Sequence, residues 1–136
     1  MAQVRGKYTA GGLQFNEGAT THLAITPSAS GGVKNNVTVY AADGAIAIRS
    51  HTAVLTKATA AAMTLAAPTA GTHDGVVIDI ISTTAQAHTV TYTAGFNGGG
   101  TSTDVGTFGT AAGNGLRIVA YGGVWYTLNN VNVTLA

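Results

Sequence analysis

Cysteine is absent from this sequence. That excludes disulfides, thiolate nucleophiles and sulfur-ligated metal sites. Charge is scarce: only 8% of the residues are Asp, Glu, Lys or Arg, against about 25% in a typical soluble domain. The acids are Glu17, Asp43, Asp74, Asp79 and Asp104, which leave few ways to build a general acid–base pair. The bases are Arg5, Lys7, Lys34, Arg49, Lys57 and Arg117. They are scattered along the chain, whereas a nucleic-acid binder concentrates them, so no nucleic-acid partner is expected. Long hydrophobic runs are missing too. The longest stretch of low polarity, residues 58–67, is far shorter than the roughly 20 residues that cross a bilayer, and no membrane partner is expected. The opening residues, MAQVRGKY, lack the apolar core of a secretory signal, so the chain is read as made in the cytoplasm.

What is present points to β structure. Nineteen glycines and abundant threonine suit strands and turns. The mean hydropathy of +0.27 leans on alanine and does not imply a large core. With a net charge of +1 there is little to repel a neighbour. The clearest hairpin is residues 115–128, GLRIVAYGGVWYTL. Gly122 and Gly123 can both take the positive φ of a two-residue type I′ turn. The register then pairs Tyr121 with Val124, Ala120 with Trp125, Val119 with Tyr126, Ile118 with Thr127 and Arg117 with Leu128. Because side chains alternate, one face carries Leu116, Ile118, Ala120, Trp125 and Thr127. The other carries Arg117, Val119, Tyr121, Val124, Tyr126 and Leu128. Neither face is polar, so both call for cover, by the domain and by another chain. Trp125, the single tryptophan, is expected to anchor the core.

In chain order, residues 1–20 read as a flexible terminus or as an arm that orders on a neighbouring subunit, with Tyr8, Leu13 and Phe15 as its anchors. Strands are expected at 22–26, 33–41 and 45–49. Asp43-Gly44 marks a turn that would fold the last two into a hairpin. Further strands are expected at 51–56, 62–65, 76–82, 88–93 and 105–110, before the hairpin and a closing alternation of Val131, Val133 and Leu135. The most apolar of them, 76–82, carries one charge, Asp79, and reads as sandwiched between layers. Turn signals every eight to twelve residues suggest an all-β fold, an antiparallel β-sandwich or a small barrel, jelly-roll-like in one form, with an extended N-terminal arm. The division is residues 1–50, arm plus short β-hairpin, and 51–136, main β domain.

No stretch spells out a reaction, and no catalytic residue is assigned. His22, His51, His73 and His88 have no metal-ligand spacing and read as structural or exposed, so no metal and no cofactor is expected. For Asp79, the one acid in a strongly apolar strand, a catalytic carboxylate is the less favoured reading; it reads rather as reaching Arg117, a polar group at an interface, or solvent. The glycine-rich run 95–100 is not a phosphate loop, because no Gly-Lys-Ser/Thr follows it. It reads as a flexible or interface loop.

Residues 62–68 (AMTLAAP), 74–82 (DGVVIDIIS), 87–91 (AHTVT), Phe108-Gly109 and 122–126 (GGVWY) together resemble a β module of tailed-bacteriophage virion proteins. The resemblance is to head decoration (cement) proteins and related capsid-fibre or tail-associated modules. It covers roughly residues 54–136. It implies a non-enzymatic structural protein of the virion that binds the outer surface of the capsid, with the major capsid protein as partner, in a homotrimer whose N-terminal arm hooks its neighbours. It carries over no functional residue. The candidate interface residues are Tyr8, Leu13, Phe15, Tyr121 and Tyr126. The alternative is a tail or fibre module that stacks host glycan on Tyr92, Tyr121 or Tyr126. A small hydrolase is the least favoured class.

Overall fold

The computed structural model describes residues 5–9, 12–17, 20–25 and 36–136, the first three stretches as backbone only. The chain divides into two units, residues 1–35 and 36–136. The first contains β1 (Arg5–Thr9), β2 (Gly12–Glu17) and β3 (Thr20–Ile25), paired antiparallel in that order. Tyr8 is in register with Leu13, and Phe15 with Leu23. The side chains of Tyr8, Leu13 and Phe15 lie outside the described residues, as does the arm expected of them.

The second unit holds β4 (Val37–Tyr40), β5 (Gly44–Ile46), β6 (His51–Leu55), β7 (Ala62–Leu65), β8 (Val77–Ser82), β9 (Thr89–Thr91), β10 (Val105–Phe108), β11 (Gly115–Tyr121), β12 (Val124–Val131) and β13 (Val133–Leu135). They form two open five-stranded sheets, β12-β11-β8-β6-β4 and β13-β10-β9-β7-β5. We call these the β12 sheet and the β13 sheet. One shared core lies between them, with Leu55, Ile78, Ile80, Leu116, Ile118 and Trp125 from the first and Met63, Val90 and Phe108 from the second. The all-β sandwich is therefore the architecture, and it is not a closed barrel.

The sheets are mixed, not antiparallel throughout. From β4 to β9 each successive strand enters the opposite layer, so β4, β6 and β8 pair parallel in one sheet and β5, β7 and β9 parallel in the other. Only β10 to β13 bring the antiparallel pairing expected of the whole, so the topology is not a jelly roll. The expected hairpin of 33–41 with 45–49 does not form. Asp43 instead accepts the Ala62 N–H at 2.9 Å and holds Lys57 Nζ at 2.7 Å, which fixes the turn against the start of β7 in the other layer.

The β11–β12 hairpin forms as the two glycines require. Gly122 and Gly123 have φ of 57° and 83°, and Asp74 accepts the Gly122 N–H at 2.9 Å. The expected register holds from Tyr121/Val124 down to Ile118/Thr127, where a bulge intervenes. Arg117 pairs with Asn129, not with Leu128 as expected, because Leu128 is the extra residue of the bulge. Trp125 is wholly buried against small Ala120, and its indole N–H donates to Ala66 O at 2.9 Å. The closing alternation also differs. Asn132, with φ of 52°, turns the chain from the β12 sheet into the β13 sheet. Val131 is consequently exposed and Val133 buried.

Candidate interaction surface

The register places the outer residues of the β12 sheet. Gly115, Arg117, Val119 and Tyr121 alternate outward on β11, and Val77, Asp79 and Ile81 on β8. Thr52 and Val54 of β6 and Val37 and Val39 of β4 continue the rows. On β12 the outward set is Val124, Tyr126, Leu128, Asn129 and Val131, with Leu128 brought out by the bulge. The six large hydrophobic side chains exposed among the described residues, Val37, Val39, Tyr121, Tyr126, Leu128 and Val131, all stand on β4, β11 and β12 of this one sheet. Grouped apolar exposure of this kind marks an interaction site, whereas isolated exposed residues do not. Among the described residues the strand 77–82 is thus covered on its inner face only, not between two layers as its composition suggested.

Opposite charges sit at the middle of this surface. Arg117 Nε lies 3.3 Å from Asp79 Oδ1, which is the first of the three roles expected for Asp79. The two residues are register partners on adjacent strands, and Thr52 and Asn129 extend their row on either side. The pair itself lines a hollow of about 290 Å³, together with Thr52, Ile81, Gly115, Asn129 and Val131. Gly115 leaves the hollow open because it carries no side chain. Its Cβ position is also restricted, 3.1 Å from Ile80 O.

The outer face of the β13 sheet has a different chemistry. It presents Thr64, Thr89, Thr91, Thr107 and Thr134, aligned across β7, β9, β10 and β13. Hydroxyls hydrate, so this face needs no cover. The contrast between the faces was not legible in any single strand.

Of the expected interface residues, Tyr121 and Tyr126 share the outer face of the β12 sheet, 68% and 39% exposed. Sequence reasoning missed Val37 and Val39, which reach this face only through non-local pairing, Val131, which the hairpin and the turn at Asn132 bring there, and the hollow at Gly115. Tyr92, offered as a sugar-stacking residue, is buried. Its ring packs edge-on to Phe96 with centroids 5.4 Å apart, and its hydroxyl donates to Gly123 O at 3.3 Å. Burial raises its pKa above 10.0.

The remaining candidates are structural. His88 is fully buried. Its Nδ1 accepts the Ala61 N–H at 2.9 Å, and its Nε2 lies 2.8 Å from Thr84 Oγ1, which donates to Lys57 O at 3.1 Å. That chain requires the neutral ring with the proton on Nε2. Burial, and then the charge of Lys57, lower the His88 pKa below 6.5. His51 is buried with Nδ1 donating to Arg49 O at 2.7 Å, and His73 Nδ1 accepts the Thr69 N–H at 2.8 Å. The His22 side chain lies outside the described residues. Among the described residues no three His, Asp or Glu side chains converge as a metal site, and no helix is long and apolar enough to cross a membrane.

The glycine-rich run is a built turn. Phe96 is buried at its base, and Gly95, with φ of 80°, lets Gly100 approach where a Cβ would clash. Asn97 Oδ1 accepts the Thr127 N–H at 2.8 Å, so the loop covers part of the free edge of β12. No protein-family model, curated protein or solved structure matches this chain.

Proposed function

We propose that this chain is a structural virion protein that binds the outer surface of a phage capsid and stabilises it by bridging capsid subunits. The observation that carries the reading is the outer face of the β12 sheet, where all six exposed large hydrophobic side chains of the described residues gather on a chain with few charges. The resemblance to head decoration proteins supplies the setting. The action is passive and non-enzymatic. Each subunit buries apolar surface of this face against the capsid and against its own copies, which removes it from water at about 25 cal/mol per Å² before binding costs. Capsid proteins tied together in this way resist rupture by packaged DNA.

The test is co-sedimentation of the purified protein with capsids that lack it, followed by heat and low-salt challenge. Saturable binding with raised resistance is expected, and Val39→Asp should weaken both. Capsids that neither bind the protein nor lose resistance in its absence overturn the reading.

A second reading, a tail or fibre module that binds host glycan, draws support from Tyr121 and Tyr126, exposed on the same face as the Asp79, Arg117 and Asn129 polar groups. Glycan-array binding abolished by Tyr121→Ala would favour it over capsid attachment.

A further inference from the structure

We infer that the outer face of the β12 sheet pairs with the same face of a second copy of this chain, about a two-fold axis close to the Arg117–Asp79 pair. The inference rests on the reading of that face as an assembly surface and names its first occupant.

Charge is the first argument. Asp79 and Arg117 are the only formally charged residues among the outward positions of the sheet, and they are neighbours of opposite sign on β8 and β11. A two-fold rotation near their midpoint sets Arg117 of each copy over Asp79 of the other, so two reciprocal pairs form together. The resulting group of four charges is neutral. Burying a charge beside a face without matching charges costs several kcal/mol, so an unrelated apolar partner is disfavoured.

Shape is the second. Along β12, Leu128 and Val131 lie on opposite sides of Asn129, the residue paired with Arg117. The bulge makes Leu128 a knob, 55% exposed, and Val131 is 51% exposed. The axis that sets Arg117 over Asp79 runs along the strands between β8 and β11, so it lays β12 of each copy over β6 of the other, with Val131 against Val54 and Leu128 beside Thr52.

The other routes of association are less suited. Asn97 occupies the Thr127 N–H on the β12 edge, which blunts edge-to-edge strand addition there. The threonines give the opposite sheet a hydrated face. Five strands about 4.8 Å apart span roughly 19 Å, and about six residues per strand run roughly 20 Å, so the face covers roughly 400 Å², less than the roughly 800 Å² per partner of a standard interface, and the pairing is reversible and concentration-dependent.

The experiment is sedimentation velocity on the full chain over a wide concentration series, with Asp79→Lys, Arg117→Glu, their equimolar mixture and the double swap. A monomer–dimer equilibrium is expected for the wild type. Each single reversal should weaken it about tenfold or more, as like charges come face to face. The mixture should recover dimer, because each variant's altered residue meets its complement in the other. In a three-fold ring the double swap recovers association but the mixture leaves one mismatched contact, so recovery by the double swap alone overturns the two-fold arrangement. A wild type that stays monomeric, or reversals that change nothing, overturn the inference outright. Leu128→Asp gives a test that leaves the charges untouched, and dimer as strong as wild type there also counts against it. Capsid co-sedimentation of the same variants separates the two claims. Monomeric wild type that binds capsids removes the pairing alone, and dimeric wild type that ignores capsids removes the capsid reading alone.

Discussion

Arg117 Nε lies 3.3 Å from Asp79 Oδ1 on the outer face of the β12 sheet, whose other outward positions carry no formal charge. Both side chains are about half exposed, 55% and 43%. A solvent-exposed pair of this kind contributes about 0–1 kcal/mol to folding, because water screens it and two side chains must be held. Arg117→Ala should therefore leave the stability of the dilute protein within about 1 kcal/mol of wild type by urea denaturation. A larger loss would make the pair a folding element, not an association element.

Trp125 joins the layers through its buried ring and its hydrogen bond to Ala66 O. Trp125→Ala should cost about 3–5 kcal/mol, the range for emptying a large aromatic site. Trp125→Phe keeps much of the volume but leaves the carbonyl without its donor, at about 1–3 kcal/mol. Denaturation midpoints of the two variants should fall in that order.

His88 makes stability depend on pH. Its folded pKa is lowered, so below 6.5 the unfolded chain takes up a proton that the folded chain resists. The contribution is fully present above 6.5 and is lost as pH falls towards the lower folded value. Thermal midpoints should drop between neutral and mildly acidic pH, and His88→Gln should flatten that slope. Asp43, whose pKa is lowered from 3.8 by Lys57 and the Ala62 N–H, acts in a separate, more acidic window.

The turn of the β11–β12 hairpin depends on left-handed backbone at both glycines. Gly123→Ala should cost about 1–2 kcal/mol, since a Cβ opposes that conformation. Gly122→Asn should be nearly neutral, because asparagine is favoured at the first position of a type I′ turn. Equal losses at the two positions would contradict this account of the turn.

Local chemistry made much of this legible. The paired glycines fix the turn and the register from Tyr121/Val124 to Ile118/Thr127, and the contrast of Trp125 with Ala120 marks the core. The bulge at Leu128 carries no glycine or proline signal, so the register beyond it was out of reach. Parallel pairing was hidden for a different reason. A turn such as Asp43-Gly44 looks the same whether the chain folds back in one sheet or crosses to the other, and only its bond to Ala62, far along the chain, decides. The candidate surface was half legible. Tyr121 and Tyr126 follow from the hairpin, but Val37 and Val39 join them only through two intervening strands, β8 and β6. Asn132, whose positive φ redirects Val133 into the core, broke an alternation that otherwise read as one strand.

The most direct measurement is hydroxyl-radical footprinting, read by mass spectrometry, of the protein dilute and free and then assembled on particles. The account predicts that Tyr121, Tyr126 and Leu128 lose reactivity on assembly while residues of the threonine face keep theirs. Unchanged labelling of those three residues, with protection of the threonine face instead, would contradict it.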